Sequence, residues 1–165
     1  MTHLSLKTLN EKSPYQITIA EDGGYDFVTS QGIHYTIYFD DDQPIGGCET
    51  FQFIIQKVEH RRTPHDPMVE QTILTIVDQF FIENLNVLLY ICDDSDGREA
   101  KRNRLFLSWF NKFAEQNRFT IRTASTIIEG HGFYAAIIVE NRNPKLKAIT
   151  EEFESTSQAL TSDKP

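Results

Sequence analysis

Cysteine is scarce in this chain, with only Cys48 and Cys92 among 165 residues. One stands beside Gly46 and Gly47 and the other closes an apolar stretch, contexts that suit idle thiols in a reducing compartment. Two thiols cannot by themselves build a structural zinc site, whose shell takes four ligands, and no metal site is expected. Long apolar runs are missing too, so no segment is expected to cross a bilayer. The start MTHLSLKTLNEKSPYQ lacks the basic, apolar and small-residue blocks of a secretory leader. The expectation is a cytoplasmic protein with no membrane partner. Positive charge is in deficit: 16 basic against 24 acidic residues leave a formal net charge of −8. Nucleic-acid binding rests on neutralising phosphates, so this balance argues against nucleic acid as a partner. Repeats, low-complexity tracts and internal linkers are absent as well. One domain over residues 1–165 is expected, with a core from about 14 to 160 and flexible ends at 1–13 and 161–165.

What the chain does have is alternation. YQITIA, residues 15–20, sets Tyr15, Ile17 and Ile19 against Gln16 and Thr18, the period of two that marks a half-buried strand. EDGG then reads as a hairpin turn, and YDFVT resumes with Tyr25, Phe27 and Thr29 on one side. IHYTIYF keeps the rhythm through Ile33, Tyr35, Ile37 and Phe39. DDDQPIGG, residues 40–47, reads as a loop, and ETFQFIIQKVE supplies a fourth strand through Phe51, Phe53 and Ile55. Four strands joined by short polar turns predict an antiparallel meander.

The period then lengthens. Val69, Ile73, Ile76, Val77 and Phe80 recur at helical spacing, with Asp66 as N-cap and Pro67 in the first helical position. NVLLYICD is a continuous apolar run, which predicts an interior strand covered on both faces. A second helix follows through Leu105, Phe106, Trp109, Phe110 and Phe113. FTIRTASTII and GFYAAIIVEN are two more strands, joined through Glu129 to Gly132. A last helix starts near Pro144, with Leu146, Ile149, Phe153 and Leu160 on one face. The predicted class is α+β, in the order ββββαβαββα. The sheet is expected to be mixed but mostly antiparallel, with about seven strands, because strand–helix–strand favours a parallel crossover.

The acidic run CDDSDGRE invites three readings. A calcium loop fails, since counting back from Gly97 puts Cys92 at a ligand position and Asn103 stands where the distal glutamate belongs. Asp94-Ser95-Asp96-Gly97 after an apolar strand resembles the nucleophile motif of haloacid dehalogenase phosphatases. Arg98 replaces that family's threonine or valine, and no later Asp-Asp pair exists. The third reading is structural. Asp96 to Glu99 fits a capping box, and Asp93, Asp94 and Asp96 offset Arg98, Lys101, Arg102 and Arg104 near the helix start. The run is read as a strand-to-helix turn.

EHRRTPHDP, residues 59–67, is the stronger candidate site. His60, Arg61, Arg62 and His65 crowd beside the free N–H groups of a helix start, which favour a phosphate or carboxylate. The element order from Glu49 to Asn141 resembles the C-terminal part of the GNAT acyltransferase fold. That resemblance implies a loop cradling the pyrophosphate of acetyl-CoA or another acyl-CoA, and an N-acyltransferase in which Tyr90 or Tyr134 assists proton transfer. The GNAT loop has glycines and alanine where RTPHDP, from Arg62, has proline and aspartate. YDFVTSQGIHYTIYF together with YICDDSDGREAKRNRLFLSWF resembles a small bacterial family of unknown function, which implies no chemistry.

The remaining residues read as scaffold. Trp109 is expected in the core and His131 in a turn, while His34 faces opposite Tyr35 and beside Tyr38, where it lines a groove or a solvated sheet face. No Ser-His-Asp arrangement is readable, and no catalytic residue is assigned. The expectation is therefore a ligand-binding or protein-interaction module whose partner is a small anionic ligand or a protein. The acyl-CoA-dependent enzyme is the alternative. A third reading is a homodimer formed through an uncovered sheet edge or the last helix.

Overall fold

A computed structural model describes residues 1–59, 61–93, 108–112 and 117–162. The class is α+β: a mixed sheet of seven strands in the order β1-β2-β3-β4-β5-β7-β6, with helices before, between and after the strands. The strands are β1 (Thr18–Ile19), β2 (Tyr25–Val28), β3 (His34–Ile45), β4 (Cys48–Lys57), β5 (Val87–Asp93), β6 (Phe119–Ile128) and β7 (His131–Glu140). The helices are α1 (Leu6–Lys12), α2 (Pro67–Glu83), α3 (seen at residues 108–112) and α4 (Leu146–Ser162). β4 and β5 run parallel, with Phe51 opposite Leu88, as the intervening helix requires. β5 pairs antiparallel with β7, and β7 with β6. The chain forms two compact units, residues 1–40 with 53–84 and residues 41–52 with 85–165.

In the first unit the expected alternation buries Tyr25, Phe27, Ile33 and Ile37. Aromatic rings of this unit form ladders: Phe27 stacks on Tyr15 at 6.0 Å and on Tyr35 at 5.3 Å, and Phe39 stacks on Phe80 of α2 at 4.8 Å. Such pairs add about 0.5–1.5 kcal/mol each beyond simple burial. The helical face predicted for α2 is buried throughout, from Val69 to Phe80. Two details differ from the sequence reading. Residues 6–12, read as part of a loose end, form α1, capped by the Ser5 hydroxyl and anchored by fully buried Leu9. The strand read from residue 15 shrinks to Thr18–Ile19 because Asn10 of α1 takes over the backbone of Ile17. Its amide accepts from the Ile17 N–H at 2.7 Å and donates to the Ile17 carbonyl at 2.9 Å. Asn84 does the same at the other end, bonding both backbone groups of Thr2 while also donating to the Phe80 carbonyl at 3.2 Å.

In the second unit, α4 lays Ile149 and Phe153 on Val87, Leu89, Ile137 and Val139, with Cys48 in the same cluster. β5 is interior, as its apolar run predicts, although Ile91 is exposed. The 40–47 loop does not exist as such: β3 continues through the aspartates to Ile45 and reverses on Gly46–Gly47. Both glycines have positive φ, 60° and 73°, the pair of left-handed positions that a two-residue hairpin demands. The aspartates mislead because most side chains from Asp40 to Pro44 face solvent, where a strand tolerates charge. Likewise the turn between β6 and β7 is Glu129–Gly130 alone, and His131 is already in β7 opposite Ile128. The capping box at residues 96–99 lies outside the described residues, while Trp109 and Phe110 are buried as expected.

Gly46 also touches α4, so a Cβ there would lie 2.4 Å from the Ile149 nitrogen and 2.6 Å from the Ala148 carbonyl carbon. Gly46→Ala is expected to cost about 2–4 kcal/mol in urea unfolding, from strained φ plus overpacking against backbone. Gly47→Ala, whose Cβ would meet only the Lys145 Nζ at an ordinary 3.9 Å, should cost only about 1 kcal/mol from its strained φ.

Candidate functional site at the start of helix α2

The loop between β4 and α2 is tied down by its own side chains. Glu59 accepts from the His34 N–H at 2.6 Å. That bond, helped by the nearby His34 and Arg61 charges, holds its carboxyl below the usual glutamate range. Arg61 donates from its guanidinium to the Gln31 carbonyl, and Lys57 donates to the Arg61 carbonyl at 3.2 Å. Asp66 finishes the loop as the predicted N-cap: one carboxylate oxygen accepts from the Met68 N–H at 2.9 Å, the other from the Tyr15 hydroxyl. Tyr15 in turn accepts from the Ser30 N–H at 3.3 Å. Burial, then the Asp66 and Glu59 charges, push the Tyr35 hydroxyl pKa up.

This arrangement sorts the residues singled out from the sequence. Arg61, Arg62 and His65 are all exposed on this loop, and His60 lies outside the described residues. Among the described residues no hydrogen bond or ion pair joins Arg61, Arg62 and His65 to one another. Nor is the helix start open to a phosphate. Pro67 has no N–H, the Met68 N–H is taken, and a carboxylate already occupies the positive end of the dipole. The residues present therefore do not fit the pyrophosphate of an acyl-CoA at that point. His34 sits 3.5 Å from the Asp26 carboxylate, whose other oxygen accepts from Thr36 at 2.5 Å. That cluster was invisible in sequence beyond a polar alternation.

The model of a family of unknown function, DUF6169, matches residues 65–155, more than half of the chain. The chain belongs to the DUF6169 family. The matched span begins at the candidate loop and takes in α2, β5, β6, β7 and part of α4. Among curated proteins nothing matches this DUF6169 chain. One solved structure, titled "Crystal structure of a putative phosphinothricin N-acetyltransferase", is weakly similar. Its TM-score is 0.41 at 13% identity, covering 74% of this chain and 73% of that one. A superposition at that level carries no functional argument.

The second unit of the DUF6169 chain holds the two tyrosines considered for proton transfer. Tyr90 lies on β5 opposite Ala136, and Tyr134 lies on β7 opposite Cys92. Among the described residues the Tyr134 hydroxyl is buried without a hydrogen-bond partner, as are the Trp109 indole N–H and the Thr126 hydroxyl. Desolvation, with the neighbouring Cys92, pushes Tyr134 up to about 12, which makes it a weak acid at neutral pH. The strand register puts Tyr134 with Ser125 and Cys92 on one sheet face, but Thr126 with Phe133 on the other. These orphaned groups do not form one site. Cys48 and Cys92 are buried and form no disulfide, and among the described residues no three of His, Cys, Asp and Glu could hold a metal ion.

Two outcomes follow for these groups. Asp66→Ala is expected to cost about 2 kcal/mol and Tyr15→Phe about 1 kcal/mol. The double variant should fall short of the sum by about 1 kcal/mol, since both break one shared bond. Tyr134→Phe is expected to stabilise by about 1 kcal/mol, because it removes an unpaired buried hydroxyl. The raised pKa means that the folded state keeps its proton while the unfolded chain loses it. Wild-type stability should therefore drop as pH climbs from about 10 towards about 12, and Tyr134→Phe should flatten that drop. Urea titrations across that pH range measure both.

Proposed function

We propose that this protein is a cytoplasmic binding module that offers the loop from His60 to Asp66 to a small anionic ligand or an acidic protein segment, and that it works as a homodimer. The observation that carries the reading is the way the loop is fixed. Glu59, Arg61 and Asp66 each spend their side chains on the loop's own frame, while Arg62 and His65 remain exposed on a backbone already in place. Preorganised cations bind an anion without the cost of ordering the loop. The ligand meets side chains at the loop's outer face and not the start of α2, which Asp66 closes. Acyl-CoA chemistry is not part of this reading.

Titration with inorganic pyrophosphate, followed by amide chemical shifts, tests it. Saturable shifts at residues 61–66 are expected, with affinity falling about tenfold in Arg62→Ala and fading with added salt. Shifts that are absent, or that survive Arg62→Ala with His65→Ala, would remove the proposal. Coenzyme A in parallel should bind no better than pyrophosphate.

A further inference from the structure

The two ends of the sheet are unequal. At one end β1 is two residues long, while at the other β6 runs for ten and, among the described residues, pairs with a strand on one side only. An open strand of that length is a template for another chain, and proteins blunt such edges with proline, charge or bulges. β6 contains no proline and no glycine, and Arg122 is its single charge. Its outward groups can be assigned. The Asn141 N–H donates to the Arg118 carbonyl, and Ile128 pairs with His131 across the two-residue turn, so the even-numbered residues of β6 bond to β7. The backbone N–H and C=O of Ile121, Thr123, Ser125 and Ile127 therefore point away from β7, and the Ile121 carbonyl there accepts from the Arg122 guanidinium at 3.1 Å.

We infer that β6 pairs antiparallel with β6 of a second copy, about a two-fold axis at Ala124. This deepens the homodimer reading above and rests on it. In that register Ile121 faces Ile127 of the second copy, burying a side chain now 59% exposed, and Thr123 faces Ser125, a hydroxyl pair of the kind that stabilises sheets. Charge complies as well. Arg122 meets Thr126 and stays clear of the other Arg122, while keeping its 3.2 Å pair with Glu154 of its own α4. Other registers place isoleucine against hydroxyls or bring the two arginines closer. About eight main-chain hydrogen bonds link the strands from Ile121 to Ile127 once Arg122 gives up the Ile121 carbonyl of each copy. Ala124 then meets its own copy at a position not bonded across the dimer, with Cα atoms about 4.5 Å apart, inside the range a disulfide spans.

Light scattering on the whole chain is expected to give twice 19.1 kDa at micromolar concentration. Thr123→Pro should give the monomer, because it removes an outward N–H and no bond to β7. Ala124→Cys should form an intermolecular disulfide under mild oxidation, with Cys48 and Cys92 buried, while Thr123→Cys and Ser125→Cys should not. A wild-type monomer at every concentration overturns this inference and the homodimer reading together. A dimer that ignores Thr123→Pro and gives no Ala124→Cys disulfide overturns the β6 edge alone. A disulfide from Thr123→Cys in place of Ala124→Cys overturns the register.

Discussion

The Asp66 carboxylate stands where the positive end of a 17-residue helix meets a buried tyrosine hydroxyl. Much of the first unit depends on that meeting. Without it α2 would begin with an unpaired Met68 N–H, and the Tyr15 hydroxyl, on a ring stacked on Phe27, would keep only its contacts with Ser30. The same bond ties the loop after β4 to the turn around Ser30, since Tyr15 also receives the Ser30 N–H. A helix start that holds its own anion is rigid, and it is closed to a second anion. Arg62 and His65 stay exposed beside it.

Local signals explain what could be read in the sequence. Asp66-Pro67 ahead of an apolar period specifies a helix start from adjacent residues alone, and YDFVT fixes its buried face by simple alternation. The apolar run from Val87 announces an interior strand, and a strand–helix–strand order made its parallel pairing with β4 foreseeable. What escaped was set at a distance. Ile17 finds its hydrogen bonds on Asn10, so strand-like residues pair with a side chain instead of a strand. Asp40 to Asp42 resemble a loop until Gly46 and Gly47 are seen to close a long hairpin over them.

The candidate site divides in the same way. Asp66 as a cap was legible; its partner Tyr15 lies 51 residues earlier and carries no local mark. Arg61 looked like a ligand-binding cation, yet its guanidinium serves the Gln31 carbonyl. Sequence shows which residues crowd together along the chain. It does not show which of them are already satisfied. Membership of DUF6169 is consistent with the resemblance drawn from YDFVTSQGIHYTIYF and the residues around Asp94, and it leaves the chemistry open.

The brevity of β1 has one more implication. A sheet that could grow from both sides would recruit copy after copy and lengthen into a filament. Here, among the described residues, one border offers Thr18 and Ile19 of β1 and the end of β2 at Val28, too little backbone to hold a neighbour firmly. If the longer border pairs with a second copy, stacking along the strands' bonding direction would end there.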